Sequence, residues 1–313
     1  MTPNSHWHYL LGCMLGLIAM TAHALPLPEQ VSTHAWAWVG PYEAPSKANE
    51  GFRMNLGFII GGEGVAVVDS GYSPAMANEM LQQIHAITTL PIRYVINTNS
   101  QPHRFMGNDV FRQEGASIIA ATEAAERMHN EAAEFSATVT RVLELPEPVA
   151  IPAAPDRLIG AGDSVSLDLG GGVSLGVEHY GRTHTRGSLI VRVTPDDTVY
   201  AGDILCSGRL LSILPDGNVA EWISSAERLR TLKAKLFVPG HGKPRPLADF
   251  EQPTYTYLNA LLTHMNNAVD NGTDITEAIN SFYADAWKQL AMFEELSGRN
   301  ASLTYLEREA EGF

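Results

Sequence analysis

The chain has 313 residues, with 35 acidic side chains against 21 basic ones and a formal net charge of −14 at pH 7. The acidic balance and the lack of any run of Lys and Arg argue against a nucleic-acid substrate, because basic side chains are needed to bind phosphates. Only two cysteines occur. An apolar core, and not a set of disulfides, must therefore stabilise the fold.

An apolar run near the N-terminus predicts export. Leu10–Met20 is too short to span a bilayer, and it is followed by Ala22-His23-Ala24, the small-x-small pattern of a signal-peptidase site. We interpret residues 1–24 as a signal peptide and expect a periplasmic or secreted chain that begins at Leu25. The mature sequence has no other long apolar run, so we expect no membrane span in it.

Strand signals dominate the first half of the mature chain. Alternating or continuous apolar residues predict strands, and Ser73-Pro74 predicts the start of a capped helix. The predicted strands are residues 34–39, 56–60, 65–68 and 94–96. The last of these leads into a polar loop that ends at Gly107-Asn108.

The second half repeats this order and then becomes helical. It has predicted strands at residues 173–177, 189–193, 199–201 and 236–238, and a helix at 220–232. Residues 255–269 and 277–293 form amphipathic, helical stretches. Two strand-rich halves followed by helices predict an α/β domain over 25–250, with packed sheets covered by helices. We expect residues 251–313 to be a helical C-terminal extension that packs on or caps this domain.

Side chains that can bind metals follow several predicted strands. Asp69, His103, Asp203 and His241 come just after apolar strands, and His184 precedes one. Each alone has an ordinary explanation, since Asp caps turns and His packs in cores or lies on surfaces. Together they supply three imidazoles and carboxylates, which are ligands of zinc and of iron sites with two histidines and one carboxylate.

Five motifs occur in a fixed order, "VVDSG", "INT", "GRTHTRG", "VYAGD" and "VPGHG". In order and spacing they resemble the metallo-beta-lactamase fold hydrolases, which implies a four-layer αββα sandwich. The segments "GDILCSGRLLSILPDGNVAEWISSAERL" and "LSGRNASLTYLERE" resemble an exported subgroup, the quinoprotein relay system zinc metallohydrolases. That resemblance implies a quinoprotein dehydrogenase system as a partner.

The loop after "INT" departs from the family pattern. In the family it reads H-x-H-x-D-H, whereas this chain has Asn99, Gln101, His103 and Arg104 at the four ligand positions. The resemblance therefore implies a rewritten metal site, and chemistry that differs from the usual two-metal hydrolysis.

The residues that remain imply two altered pockets. One keeps only His184 beside the two amides. The other has His103 in place of Asp and Arg104 in place of His, together with an unchanged His241. Asp203 lies between the two pockets in the family pattern.

A single-metal hydrolase is the first hypothesis. One zinc, or an iron ion, would bind His103, Asp203 and His241, with His184 as a fourth ligand or a proton carrier. Metal-activated water would attack an acyl or ester carbonyl of a small molecule, and Asn99 and Gln101 would hold that carbonyl.

A metal-free binding protein is the second hypothesis. Arg104 would repel a cation and neutralise Asp203, and the pocket would bind an anionic small molecule on Arg104 and His184. Asp69 is expected to bond the loop backbone and to orient a ligand. We interpret Cys206 as a small buried residue and not as a nucleophile. A beta-lactamase is a third and weaker alternative, because both metal pockets are altered.

Overall fold

The structure, a computed structural model, describes residues 25–312. The predicted signal peptide, residues 1–24, lies outside the described residues, so its cleavage stays a prediction. Within residues 25–312, no helix has the length and apolar character needed to cross a membrane.

The first sheet has seven strands in sequential order. β1 to β4 pair antiparallel, and β4 to β7 pair parallel. The strands are β1 Glu29–Gln30, β2 Ala35–Trp38, β3 Leu56–Ile60, β4 Val65–Val68, β5 Ile92–Ile96, β6 Ser117–Ala121 and β7 Arg157–Ile159. All four residues of β4 are buried, as its continuous apolar sequence predicts.

The second sheet has five strands in the order β12-β11-β10-β9-β8. Its strands are β8 Ser164–Asp168, β9 Ser174–His179, β10 Leu189–Thr194, β11 Thr198–Cys206 and β12 Leu236–His241. β11 and β12 pair parallel, and their register shifts twice between Tyr200 and Cys206. Such an irregularity changes the direction in which the side chains of β11 point, and Asp203 lies within the irregular segment.

The two sheets share one hydrophobic core. Buried side chains of the first sheet, such as Val67 and Ile96, belong to the same cluster as Val177 and Val191 of the second sheet. Tyr200 crosses this core and donates its hydroxyl hydrogen to the carbonyl of Trp36 at 2.7 Å. The sheets therefore pack face to face, with the carboxyl ends of β4 and β5 next to β11 and β12.

Helices cover the outer faces of the two sheets. They are α1 Pro74–Ile87, α2 Pro102–Phe105, α3 Asn108–Gln113, α4 Thr122–Asn130, α5 Ala132–Leu143, α6 Val219–Leu229, α7 Tyr257–Asp270, α8 Ile275–Ser281 and α9 Phe293–Glu311. α1 begins as its sequence predicts, because the Ser73 hydroxyl accepts a hydrogen bond from the Met76 amide and Pro74 is the first helical residue. The layers confirm the predicted α/β sandwich and its helical C-terminal region.

The C-terminal helices share a second hydrophobic core with the second sheet. Trp222 of α6, Leu258 of α7 and Leu296 of α9 lie in one cluster with Ile204 of β11. Asn300 of α9 is fully buried. Its side-chain amide donates to the Leu211 carbonyl at 2.8 Å and its oxygen accepts from the Ile213 amide at 2.9 Å. α9 therefore satisfies the backbone of the segment that follows β11.

The predicted helix over residues 277–293 is wrong in its extent. The structure ends α8 at Ser281 and begins α9 at Phe293, with a short 3₁₀ turn at Asp285–Trp287 between them. Phe282 and Trp287 stack on each other, and Tyr257 contacts Trp287 edge-on. Residues five apart point about 140° away from each other on a helix, so the chain must bend to bring both rings together.

We predict that Asn300→Ala lowers the free energy of unfolding by about 2–4 kcal/mol, because it leaves the Leu211 carbonyl and the Ile213 amide buried without partners. Urea denaturation followed by circular dichroism measures this loss. Leu306→Ala on the same helix is the matched control, since Leu306 is 47% exposed. A loss no larger than that of the control would contradict the structural role of Asn300.

Candidate functional site

The loop after β5 is pinned to the first sheet by Asp69. The Asp69 carboxylate accepts hydrogen bonds from the Thr98 amide at 2.7 Å and from the Thr98 hydroxyl at 2.8 Å. Asp69 has a φ of 63°, a left-handed conformation that is unfavourable for a residue with a Cβ. Burial raises the pKa of Asp69 to about 6, against the attraction of Arg104. The expected role of Asp69 in bonding the loop backbone agrees with these contacts.

A helical turn, α2, places the next two side chains inside the protein. The sequence predicted a loop here, but Pro102 begins a turn of helix that carries His103 and Arg104. Their exposed fractions are 7% and 1%. Asn97 donates to the Arg104 carbonyl at 2.8 Å, which ties this turn to the end of β5. The altered metal loop is therefore a rigid part of the core.

Arg104 uses every N–H group of its guanidinium inside the protein. Nε donates to Asp203 Oδ2 at 3.2 Å and Nη2 donates to Asp203 Oδ1 at 2.6 Å. Nη1 donates to Asp69 Oδ2 at 3.0 Å and to the Asn55 carbonyl at 2.8 Å, and Nη2 also reaches the Gly240 carbonyl at 3.3 Å. A guanidinium has five donors. Arg104 pairs with Asp203 as expected, but it has no donor left for the anionic ligand that the sequence assigned to it.

The Asp203 carboxylate is enclosed by these donors. Its Oδ2 also accepts a hydrogen bond from the Asn99 amide at 2.7 Å. A Cβ added to Gly240 would lie 2.1 Å from Asp203 Oδ1, so only glycine fits beside this pair. Burial acts to raise the pKa of Asp203, but the combined attraction of its neighbours, Arg104 first among them, outweighs burial and holds the pKa well below its ordinary value. Asp203 is therefore an anion at neutral pH.

Three of the predicted metal ligands do meet. Ligand atoms of His103, Asp203 and His241 all lie within 4.8 Å of one another. His103 Nε2 is 4.0 Å from Asp203 Oδ2, and His241 Nε2 is 3.5 Å from Asp203 Oδ1. Within residues 25–312, His103 Nε2 is also buried without a hydrogen-bond partner. These three residues form a candidate metal site.

His184 lies apart from this group and pairs with Gln101. His184 Nδ1 is 2.7 Å from the Ser212 carbonyl, and Nε2 is 2.8 Å from the Gln101 side-chain amide. Burial lowers the pKa of His184 to about 4, so the ring is neutral at pH 7. A neutral ring cannot donate from both nitrogens, so with its proton on Nδ1 for the Ser212 carbonyl, the Gln101 amide must turn its nitrogen toward Nε2, where the structure places Oε1. Asn99 and Gln101 thus serve protein partners, in place of the carbonyl of a substrate.

Two further arginines, Arg53 and Arg209, lie beside the candidate metal site. Arg209 is 2% exposed, and its Nη1 is 3.4 Å from both ring nitrogens of His241. Burial and the nearby Arg209 lower the pKa of Arg53 to about 10, so Arg53 stays charged at neutral pH. Sequence reasoning missed both residues, because an isolated arginine in a loop carries no pattern that predicts its burial.

The charged side chains around His103, Asp203 and His241 determine how well a metal ion fits between them. Arg53, Arg104 and Arg209 supply three positive charges and Asp69 and Asp203 supply two negative ones, so the site has a net charge of +1 without a metal. Burial and the nearby arginines lower the pKa of His103 and His241, which keeps both rings neutral. A divalent cation would bring the total to +3 in a buried region. The donor set of His103, Asp203 and His241 therefore fits a zinc or iron ion poorly in this charge environment.

A cavity of about 440 Å³ opens onto these groups. Among its lining residues are His103, His184, Asp203 and His241, so the predicted site residues do face one space. Cys206 also lines it. Burial raises the pKa of the Cys206 thiol to about 12, which keeps it protonated and agrees with its interpretation as a small buried residue.

A sequence profile described as the metallo-beta-lactamase superfamily matches residues 51–241, which is more than half of the chain. The chain belongs to the metallo-beta-lactamase superfamily. The resemblance drawn from the five motifs is confirmed at this level. Members of this hydrolase superfamily typically bind metal, and His103, Asp203 and His241 are what this member retains as a candidate site.

Solved structures of the superfamily share this fold. A metallo-beta-lactamase from Pontibacter korlensis has a TM-score of 0.60 and 17% identity, and the similarity covers 74% of this chain and 98% of that one. The structure of TMB-1 has a TM-score of 0.58 and 17% identity, and the similarity covers 74% of this chain and 96% of that one. At these identities the likeness shows the fold alone.

One relative is named for an enzymatic activity. The acyl-coenzyme A thioesterase MBLAC2 of Gallus gallus is 33% identical over 94 residues, which is 29% of this chain. The match spans about a third of the chicken protein's length, 32%.

We predict that Arg104→Met lowers the free energy of unfolding by about 3–5 kcal/mol, because it leaves two buried carboxylates without their counter-charge. Urea denaturation in the presence of a chelator measures the loss. Arg186→Met is the control, since Arg186 pairs with Asp216 on the surface and is 55% exposed, and it should cost less than about 1 kcal/mol. Equal losses in the two variants would refute the central role of Arg104.

Proposed function

We propose that this protein is a binding member of the metallo-beta-lactamase superfamily, in which the Arg104 guanidinium stands in for a metal cation. The observation that carries the proposal is the use of all five Arg104 donors within the protein, by three carboxylate oxygens of Asp69 and Asp203 and by two backbone carbonyls. The pocket then receives a small-molecule ligand without hydrolysing it.

The state of Asp203 supports this proposal. A carboxylate that bonds a metal offers it lone pairs, but here both oxygens already accept short hydrogen bonds from Arg104 or Asn99. If a metal replaced these bonds, the Arg104 guanidinium, which is 1% exposed, would be left buried without a counter-charge. The loop after β5 therefore supplies its own cation, the Arg104 guanidinium, at the place where the proposal has no metal.

The neutral histidines point in the same direction. His184 Nε2 is used by Gln101, and His241 Nε2, the ring nitrogen left over after Nδ1 donates to the Arg53 carbonyl, lies 3.4 Å from Nη1 of Arg209. A histidine that bonds zinc must present a free ring nitrogen to the metal. Of the three imidazoles, His103 alone has a buried ring nitrogen without a partner among the described residues.

A single-metal acyl hydrolase is the second candidate function. Two observations favour it: the closeness of His103, Asp203 and His241, and the thioesterase activity for which the Gallus gallus relative is named. On this alternative one zinc or iron ion binds the three residues after the side chains have moved closer, and an acyl or ester compound is the substrate. A beta-lactamase activity stays the weaker alternative, because the solved neighbours support the fold alone.

Export and the partner also stay proposals. We propose a periplasmic or secreted location on the basis of the small-x-small pattern at Ala22-His23-Ala24. A quinoprotein dehydrogenase system is proposed as the setting in which the ligand arises, on the basis of the resemblance of two segments to the quinoprotein relay subgroup.

The decisive experiment is a zinc titration of the chelator-treated wild type and of Arg104→His. We expect the wild type to take up far less than one zinc per chain. Arg104→His should bind zinc stoichiometrically, because it removes one positive charge and adds an imidazole next to Asp203. Isothermal titration calorimetry and elemental analysis measure both.

Two further variants make the outcome specific. If the wild type does bind one zinc or iron, His103→Ala and His241→Ala should each lose it, and this result would establish the single-metal candidate in place of the binding protein. Uptake that persists in an Asp203→Ala, His241→Ala double variant would place the metal elsewhere in the chain and leave the binding proposal intact.

A further inference from the structure

Arg209 is a buried cation without a counter-charge in the structure. No carboxylate among residues 25–312 forms an ion pair with it, and within those residues the only side chain that its guanidinium contacts by a hydrogen bond is His241. Its Nε is buried and has no partner in the described part of the chain. A guanidinium in a buried place normally pairs with an anion, because desolvation of an unpaired charge costs several kcal/mol.

Arg53 repeats this situation next to His241. Its Nε is likewise buried without a partner among the described residues, and its guanidinium forms no ion pair with any of them. The His241 ring contacts the Arg209 guanidinium and the backbone carbonyl of Arg53, so both arginines are neighbours of one imidazole. Two cations that repel each other are thus fixed next to one cavity.

Three residues with unpartnered nitrogens line this cavity. They are Arg53, Arg209 and His103, and Nε of each arginine and Nε2 of the histidine are buried with no hydrogen-bond partner among the described residues. His103 has an exposed fraction of only 7%. Three nitrogen groups of this kind form a seat for an oxyanion, because guanidinium groups bind planar oxyanions through paired hydrogen bonds.

The other walls of the cavity are apolar. Leu211, Leu214 and Trp222 line it from the segment after β11 and from α6, and Met292 and Leu296 line it from the C-terminal region. Glu295 and Arg299, both exposed at the same wall, add charges of opposite sign. A ligand of this cavity would therefore have an apolar body with one charged end.

The charge of the seat limits the charge of the ligand. The site carries +1 when three arginines are set against Asp69 and Asp203, so a monoanion neutralises it and a dianion would leave an excess. We propose that this cavity binds an amphipathic monocarboxylate, with its carboxylate on Arg53, Arg209 and His103 and its apolar body against Leu214, Trp222 and Leu296. This inference rests on the proposed metal-free function and names its ligand class.

The experiment uses isothermal titration calorimetry of the full-length mature protein with octanoate, at neutral pH and in the presence of EDTA. Octan-1-ol has the same tail without the charge, and octyl phosphate has a dianionic head. We expect one octanoate per chain, with octan-1-ol and octyl phosphate each binding at least about tenfold more weakly.

The key variant is Arg209→Met, which keeps the length of the side chain and removes its charge. It should weaken octanoate at least about tenfold, while its unfolding temperature without ligand stays equal to the wild-type value or rises, since an unpaired buried charge has been removed. A residue needed only for folding would show the opposite change in stability. Arg186→Met, outside the cavity, should bind octanoate as the wild type does.

A second variant tests the apolar end. Leu214→Trp fills the cavity and should weaken octanoate while butyrate binding is retained. Equal affinity for octan-1-ol and octanoate, or tighter binding of octyl phosphate, would overturn the monocarboxylate assignment. If the wild type binds neither these ligands nor zinc, this inference is overturned and the metal-free function stands. If octanoate binds only after zinc has been added, the metal-free function itself is overturned.

Discussion

One buried guanidinium links the parts of this site that come from different sheets. Arg104 lies on a helical turn after β5, bonds Asp69 at the end of β4 in the first sheet, and bonds Asp203 on β11 in the second. In a two-metal hydrolase that link is made by ions, which must be acquired after synthesis. Here it is made by a side chain of the protein itself.

The sequence predicted the fold well where apolar runs were long and bounded by glycine or proline. Strands at 56–60 and 65–68 match the structure residue for residue. The strand at 117–121 and the hairpin partner at 164–168 were missed. The latter strand is mostly exposed and polar, and therefore lacks the apolar pattern that indicates a strand. The break before α9 depends on aromatic contacts between distant residues, which a local pattern does not contain.

The sequence predicted which residues meet in the site, but it did not predict the charge around them. Polar residues at strand ends indicated that His103, Asp203 and His241 would meet, because parallel strands present their carboxyl ends at one edge. The burial of Arg53 and Arg209 was not predictable, since it arises from tertiary packing around His241. These two arginines change the sign of the site's charge, and with it the class of ligand that the site favours.

The cavity has walls from two parts of the chain. Its inner end consists of residues in the profile-matched region, where Arg104 fixes every neighbour and Gly240 admits no side chain. Its outer wall includes Met292 and Leu296, beyond that region. Substitutions in α9 can therefore reshape what the cavity accepts while the buried charges stay untouched. Leu296 also packs in the second hydrophobic core, and Asn300 of the same helix holds the segment after β11, so a change of ligand preference through this helix is tied to the stability of the fold.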